Sequence, residues 1–91
     1  LRKVRMNVQG RVQGVGFRYM TKIKADELGI FGTVKNEDDG SVSIEAIGSD
    51  DVMQTFIKTI KESPSPAGRV TYVDLQDDPL IEDYTSFKVT N

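Results

Sequence analysis

The 91-residue chain contains no cysteine and no histidine. Without cysteine there is no disulfide framework, no thiolate nucleophile and no thiolate metal ligand. Without histidine the commonest general acid–base and metal-binding side chain is missing. Any chemistry must therefore run on Arg, Lys, Asn, Gln, Ser, Thr, Tyr or carboxylates. No apolar run approaches the length of a membrane span and no signal-peptide pattern stands at the start, so neither a membrane location nor export is indicated. The cysteine-free composition fits a cytoplasmic protein. Internal repeats, linkers and low-complexity segments are also absent, and the length suits one domain, residues 1–91.

What charge there is lies unevenly. The net charge is −2, yet residues 1–25 carry seven of the twelve cations and none of the fourteen acids. A local basic field inside an acidic protein favours a small anion over a long polyanion, which the acidic remainder would repel.

In chain order, Lys3 to Gln9 alternates, with Val4, Met6 and Val8 on one face, and reads as a strand with one buried side. A glycine-rich run follows, Gly10-Arg11-Val12-Gln13-Gly14-Val15-Gly16-Phe17-Arg18. From Phe17 to Leu28 the spacing of Phe17, Met20, Ile23 and Leu28 predicts a helix, which Gly29 is placed to end. Ile30 to Asn36 and Ser41 to Ile47 read as two strands joined by a hairpin turn at Asp39-Gly40. Gly48 breaks the second of these. Ser49 is placed to cap a helix with Asp50 and Asp51 in its first turn and Val52, Met53, Phe56, Ile57 and Ile60 as its core face. The Ser63–Gly68 segment is a loop, since its prolines cannot continue the helix. Arg69 to Gln76 predicts a strand burying Thr71, Val73 and Leu75. An acidic connection leads to a short closing strand at Phe87 and Val89. The order βαββαβ with one extra strand predicts an α+β fold, a ferredoxin-like split βαβ sandwich with two helices on one face of an antiparallel sheet.

The glycine run breaks a local rule. A helix start normally recruits Ser, Thr, Asp or Asn as its cap, with acids in the first turn. Here glycine precedes Phe17 and a cation, Arg18, sits at the opening. An external anion, cradled by loop amides and paired with Arg18, would repair this. In the predicted fold the first and second strands run the same way with the third between them. The glycine loop and Asn36 then share an edge, separated by roughly 10 Å, two strand spacings. Asn36 either begins the turn or is placed for its amide, which can orient a water without changing charge. Arg18 offers a planar fork suited to phosphate oxygens.

Neither Arg18 nor Asn36 is a nucleophile or a proton carrier near neutrality, which limits the reaction. Expelling an alkoxide from a phosphate ester usually needs an acid or a metal. There is no Asp-x-Asp motif for aspartyl phosphorylation and no Gly-x-x-x-x-Gly-Lys-Ser/Thr loop. A carboxylic–phosphoric anhydride differs, because its leaving group is a carboxylate whose conjugate acid has a pKa of about 4. Positioning and electrostatic stabilisation then suffice.

The run Val8–Arg18 resembles the first acylphosphatase signature, G-x-V-Q-G-V-x-F-R. The run Gly32-Thr33-Val34-Lys35-Asn36-Glu37-Asp38-Asp39-Gly40-Ser41-Val42, with Gly48 beyond it, resembles the second. The resemblance implies hydrolysis of small acyl phosphates to a carboxylate and inorganic phosphate, with no metal or cofactor and no phosphoenzyme. It assigns phosphate binding to Gln13, Gly14, Val15, Gly16, Phe17 and Arg18, and orientation of the attacking water to Asn36. Arg18 and Asn36 are thus the expected catalytic pair. Thr33 departs from the pattern, standing where the family usually has an aromatic residue. Nothing in the chain marks an obligate interface, so a monomer is expected. Two alternatives share the fold: a non-catalytic anion-binding or regulatory module, and a nucleic-acid binder. RNA-recognition domains with this element order stack bases on sheet-face aromatics, and the first and third strands here have none.

Overall fold

The structure, a computed structural model describing residues 1–90, contains five strands and two helices. They are β1 (Arg2–Arg11), α1 (Phe17–Leu28), β2 (Phe31–Asn36), β3 (Val42–Gly48), α2 (Asp50–Glu62), β4 (Arg69–Asp77) and β5 (Phe87–Thr90). The sheet order is β4-β1-β3-β2-β5. Both β1 and β2 pair antiparallel with β3, so they run the same way on either side of it. The ferredoxin-like α+β arrangement is therefore present, with one correction: the sheet is mixed rather than antiparallel throughout. After edge strand β4 the chain crosses to the opposite edge, and β5 lies parallel to β2.

Alternation along β1 sends Val4, Met6 and Val8 to the helix-covered face, where they are fully buried. The register places them opposite Ala46, Ile44 and Val42 of β3, which are buried with them. From α2, Met53, Phe56 and Ile60 complete this core, with Val52 and Ile57 half-buried at its margin. The Phe56 and Phe87 rings meet edge to face at 6.1 Å, joining α2 to β5. Such a pair contributes about 1 kcal/mol beyond its buried area.

Four local expectations change. The buried stripe of α1 is Phe17, Thr21 and Ala25, while Met20 and Ile23 are only half-buried. Small side chains at successive turns let the helix lie close to the sheet, leaving the longer residues at its flanks. On β4, Val73 and Leu75 face inward but Thr71 is exposed. The β1–β4 register shifts between Gln9 and Gly10, so Tyr72 pairs with Gln9, Val70 with Gly10, and Thr71 is the bulged residue between them. Val70 takes the inward place instead. Gly48 is the last residue of β3, opposite Arg2, rather than a break before its end. Ser49 does occupy the N-cap of α2, with Asp50 and Asp51 behind it, but its side chain makes no capping hydrogen bond.

The open face of the sheet is polar and ties down the acidic connection. Arg5 on β1 pairs with Glu45 on β3 at 2.7 Å and with Asp78 at 2.8 Å. Tyr84 donates its hydroxyl to Glu45 at 2.5 Å. Asp78 to Ser86 is thereby held across the sheet, which delivers β5 to the free edge of β2.

Candidate active site

Gly10 and Arg11 belong to β1, so the loop proper runs from Val12 to Gly16. It turns into α1 through Gly16 (φ 77°, ψ 17°), a left-handed conformation that a side chain would resist. The start of α1 has no side-chain cap and no acid in its first turn. The N–H groups of Phe17, Arg18 and Tyr19 have no intrahelical acceptor, as at any helix start. The contrast with the acidic opening of α2 is direct: here the partial positive charge of the helix end is left for something else to meet.

In front of this helix end lies a cleft of about 340 Å³ lined by Val12, Gly14, Gly16, Phe17, Arg18, Tyr19, Asn36 and Val89. Asn36 is the last residue of β2, and the parallel run of β1 and β2 brings it to the loop's edge of the sheet. Its side-chain oxygen is buried with no hydrogen-bond partner among the described residues. An orphaned buried acceptor is uncommon and points to a bound water or ligand group. Also at the cleft, the Arg18 guanidinium donates to the Thr90 carbonyl of β5 at 3.0 Å. One turn on, Lys22 donates to the Phe87 carbonyl at 3.0 Å. Two cations of α1 thus grip the backbone of β5, and Arg18 does so while lining the cleft.

Gln13 and Val15 do not line the cleft; they hold the loop in place. The Gln13 amide donates to the carbonyls of Glu37 and Ser41, both at 2.8 Å, tying the loop to the turn after β2. The Val15 carbonyl accepts a hydrogen bond from Ser65. Of the residues expected to bind phosphate, Gly14, Gly16, Phe17 and Arg18 reach the cleft. Tyr19 and Val89 reach it too without belonging to either motif. Tyr19 follows Arg18 on the first turn, which was a usable signal. Val89 has none, because its place depends on β5 pairing with β2. Thr33 lies on the open face of the sheet, outside the cleft lining, opposite Glu45 of β3. No cluster of three or more His, Cys, Asp or Glu side chains among the described residues could hold a metal ion.

A family model for acylphosphatase matches residues 4–89 of this chain. The chain belongs to the acylphosphatase family. An acylphosphatase of Enterococcus faecalis is 72% identical over 89 residues, covering 98% of both chains. An acylphosphatase of Lactobacillus johnsonii is 54% identical with the same coverage. Among solved structures, an acylphosphatase from Bacillus subtilis superposes over the whole of both chains with a TM-score of 0.94 at 37% identity. The protein is an enzyme that hydrolyses acyl phosphates, and its substrate is a small molecule; a purely anion-binding module is not favoured. No helix among the described residues is long and apolar enough to cross a membrane.

Proposed function

We propose that the cleft is the site of this hydrolysis and that Arg18 and Asn36 carry it. The phosphoryl group sits at the helix end, its oxygens taken by amides of the cleft-lining residues Gly14, Gly16, Phe17 and Arg18 and by the Arg18 guanidinium. Asn36 holds a water on the far side of phosphorus. The water oxygen attacks phosphorus in line as the bond to the acyl oxygen breaks, and that electron pair leaves with the carboxylate. A non-bridging phosphoryl oxygen takes the water's proton. Because the leaving group is already a weak base, no general acid, metal or phosphoenzyme enters the scheme. The acyl group lies along Tyr19 and Val89.

The observation that carries this reading is that Asn36, whose side-chain oxygen is buried without a partner, lines the same cleft as Arg18 and the uncapped start of α1. The chain acts in this reading as one cytoplasmic domain over residues 1–91, as a monomer without a nucleic-acid partner. The experiment is a split between two variants. Arg18→Ala loses inhibition by inorganic phosphate together with turnover, while Asn36→Ala loses turnover and keeps phosphate inhibition. A normal turnover in Asn36→Ala removes Asn36 from the mechanism. Activity that a chelator abolishes and added metal restores ends the metal-free scheme.

A further inference from the structure

The connection between α2 and β4, residues 63–68, packs behind the loop that opens the cleft. Within it Ser65 is buried, 3% exposed, and donates its hydroxyl to the Val15 carbonyl. The connection is braced from inside. Ser63 donates its hydroxyl to the Ser65 carbonyl at 2.8 Å and accepts the Ser65 N–H at 3.3 Å. The Gly68 N–H donates to the same Ser65 carbonyl at 3.0 Å. Ser63 has φ 67° and ψ 119°, and it is the one non-glycine residue with positive φ among those described. A residue stays in so sparsely populated a region only where its surroundings over-determine it, and such residues gather at functional sites. Ser65 is thus a fixed donor on a stiff support.

What it holds is one end of a peptide unit. In a trans peptide the C=O of one residue and the N–H of the next point in opposite directions, and the described residues contain no cis bond. A Val15 carbonyl turned back toward Ser65 therefore turns the Gly16 N–H away from it. Gly14, Gly16 and Arg18 line the cleft, whereas Val15 and Ser65 do not. We propose that Ser65 is a positioning residue for the hydrolysis: it holds the Val15–Gly16 peptide so that the Gly16 amide is preset as a donor to a phosphoryl oxygen. Donors fixed before the reaction are worth more than donors that must reorient during it. The inference rests on the cleft being the phosphate site.

The test is a titration of ¹⁵N-labelled protein with inorganic phosphate, read at the Gly16 amide, alongside kinetics on acetyl phosphate. In the unsubstituted protein the Gly16 resonance moves as phosphate binds. In Ser65→Ala that movement shrinks, and phosphate affinity and kcat/KM each fall by about tenfold, the scale of one lost orienting hydrogen bond. Ile47→Val, buried opposite Lys3 at the end of the sheet away from the loop, supplies a destabilised control. It lowers Tm while leaving the Gly16 response and phosphate affinity in place. Ser65→Cys, which keeps the size and weakens the donor, takes the measurement should the alanine variant not fold. If Gly16 responds to phosphate identically with and without the Ser65 hydroxyl, the positioning role is overturned and the site stands. If Gly16 never responds, in any form of the protein, the placement of phosphate in this cleft falls with it.

Discussion

The Gln13 side-chain amide bridges the Ser41 and Glu37 carbonyls with two 2.8 Å hydrogen bonds. One planar NH₂ therefore couples the loop after β1 to the turn after β2, the segments that adjoin Arg18 at the start of α1 and Asn36 at the end of β2. Gln13→Ala uncouples them. Because the Glu37–Ser41 turn keeps its own backbone bonds, the stability loss is about 1–2 kcal/mol. The loss in kcat/KM exceeds that in proportion, since small displacements between catalytic groups are costly. Gln13→Glu is the sharper variant. It keeps the shape but sets an acceptor-only carboxylate against two carbonyls, and thermal melts place it below Gln13→Ala.

Tyr19 and Val89 are among the most exposed large apolar side chains, at 67% and 40%, and both line the cleft. They form an apolar wall beside a polar phosphate end. Tyr19→Ala raises KM for benzoyl phosphate by about five- to tenfold, the scale of one lost aromatic contact, with a smaller effect on acetyl phosphate. Turnover at saturation stays near its original value if, as proposed, the wall meets the acyl group and not phosphorus. Equal effects on both substrates would remove Tyr19 from acyl recognition.

Much of this site is legible in the chain itself. Arg18 at an uncapped helix start and Asn36 at a strand end both violate local preference, and each violation marks a residue at the cleft. Element order alone brings them to one edge, because β1 and β2 must run parallel about β3. What stays hidden depends on long-range registration. Thr71 alternates correctly with Val73 and Leu75 but sits on a bulge, and period-two reasoning cannot see an extra residue. In α1 the stripe of Phe17, Thr21 and Ala25 loses to Met20 and Ile23 on hydrophobicity, although close approach favours the smaller set. Ser65 lies in a proline-rich loop that reads only as a helix stop.

Stability responds to pH at both extremes, for opposite reasons. Hydrogen bonding to Glu45, with burial second, pushes the Tyr84 hydroxyl up to about 12. In the unfolded chain it titrates near pH 10. Between those values the folded state keeps a proton that the unfolded state has released, so this contribution is full below about pH 10 and lost as pH rises toward 12. Tyr84→Phe removes that alkaline slope. Asp77 and Asp78 behave the other way, since hydrogen bonds from Arg2 and Arg5 hold them below the usual carboxylate range. Asp39, bonded to the Ser41 hydroxyl and N–H, and Asp83, bonded to Lys3, are lowered too. Their contribution is full above about pH 4 and lost as pH falls further. Melting temperature against pH therefore drops at both ends, and an unchanged alkaline limb in Tyr84→Phe would refute the assignment to Tyr84.

Gly32 decides whether β2, and with it Asn36, can take its place at all. At φ 151° its backbone runs so close to β3 that an added Cβ would stand 1.8 Å from the Glu45 carbonyl oxygen. Neither side can step away. Glu45 is paired to β1 through Arg5 and to β2 through Thr33, in the middle of a five-stranded sheet. Gly32→Ala therefore strains the φ angle and splits the β2–β3 pairing together, and its cost is at least about 3 kcal/mol. For a domain of this size that lowers Tm by on the order of 10–20 °C. Gly40, at φ 93° in the hairpin turn, is the comparison, because a Cβ there meets nothing within 4 Å. Gly40→Ala carries only the conformational strain and melts well above Gly32→Ala. Thermal melts that ranked the two alike would mean that β2 can shift relative to β3, and a strand free to shift could not hold Asn36 against Arg18.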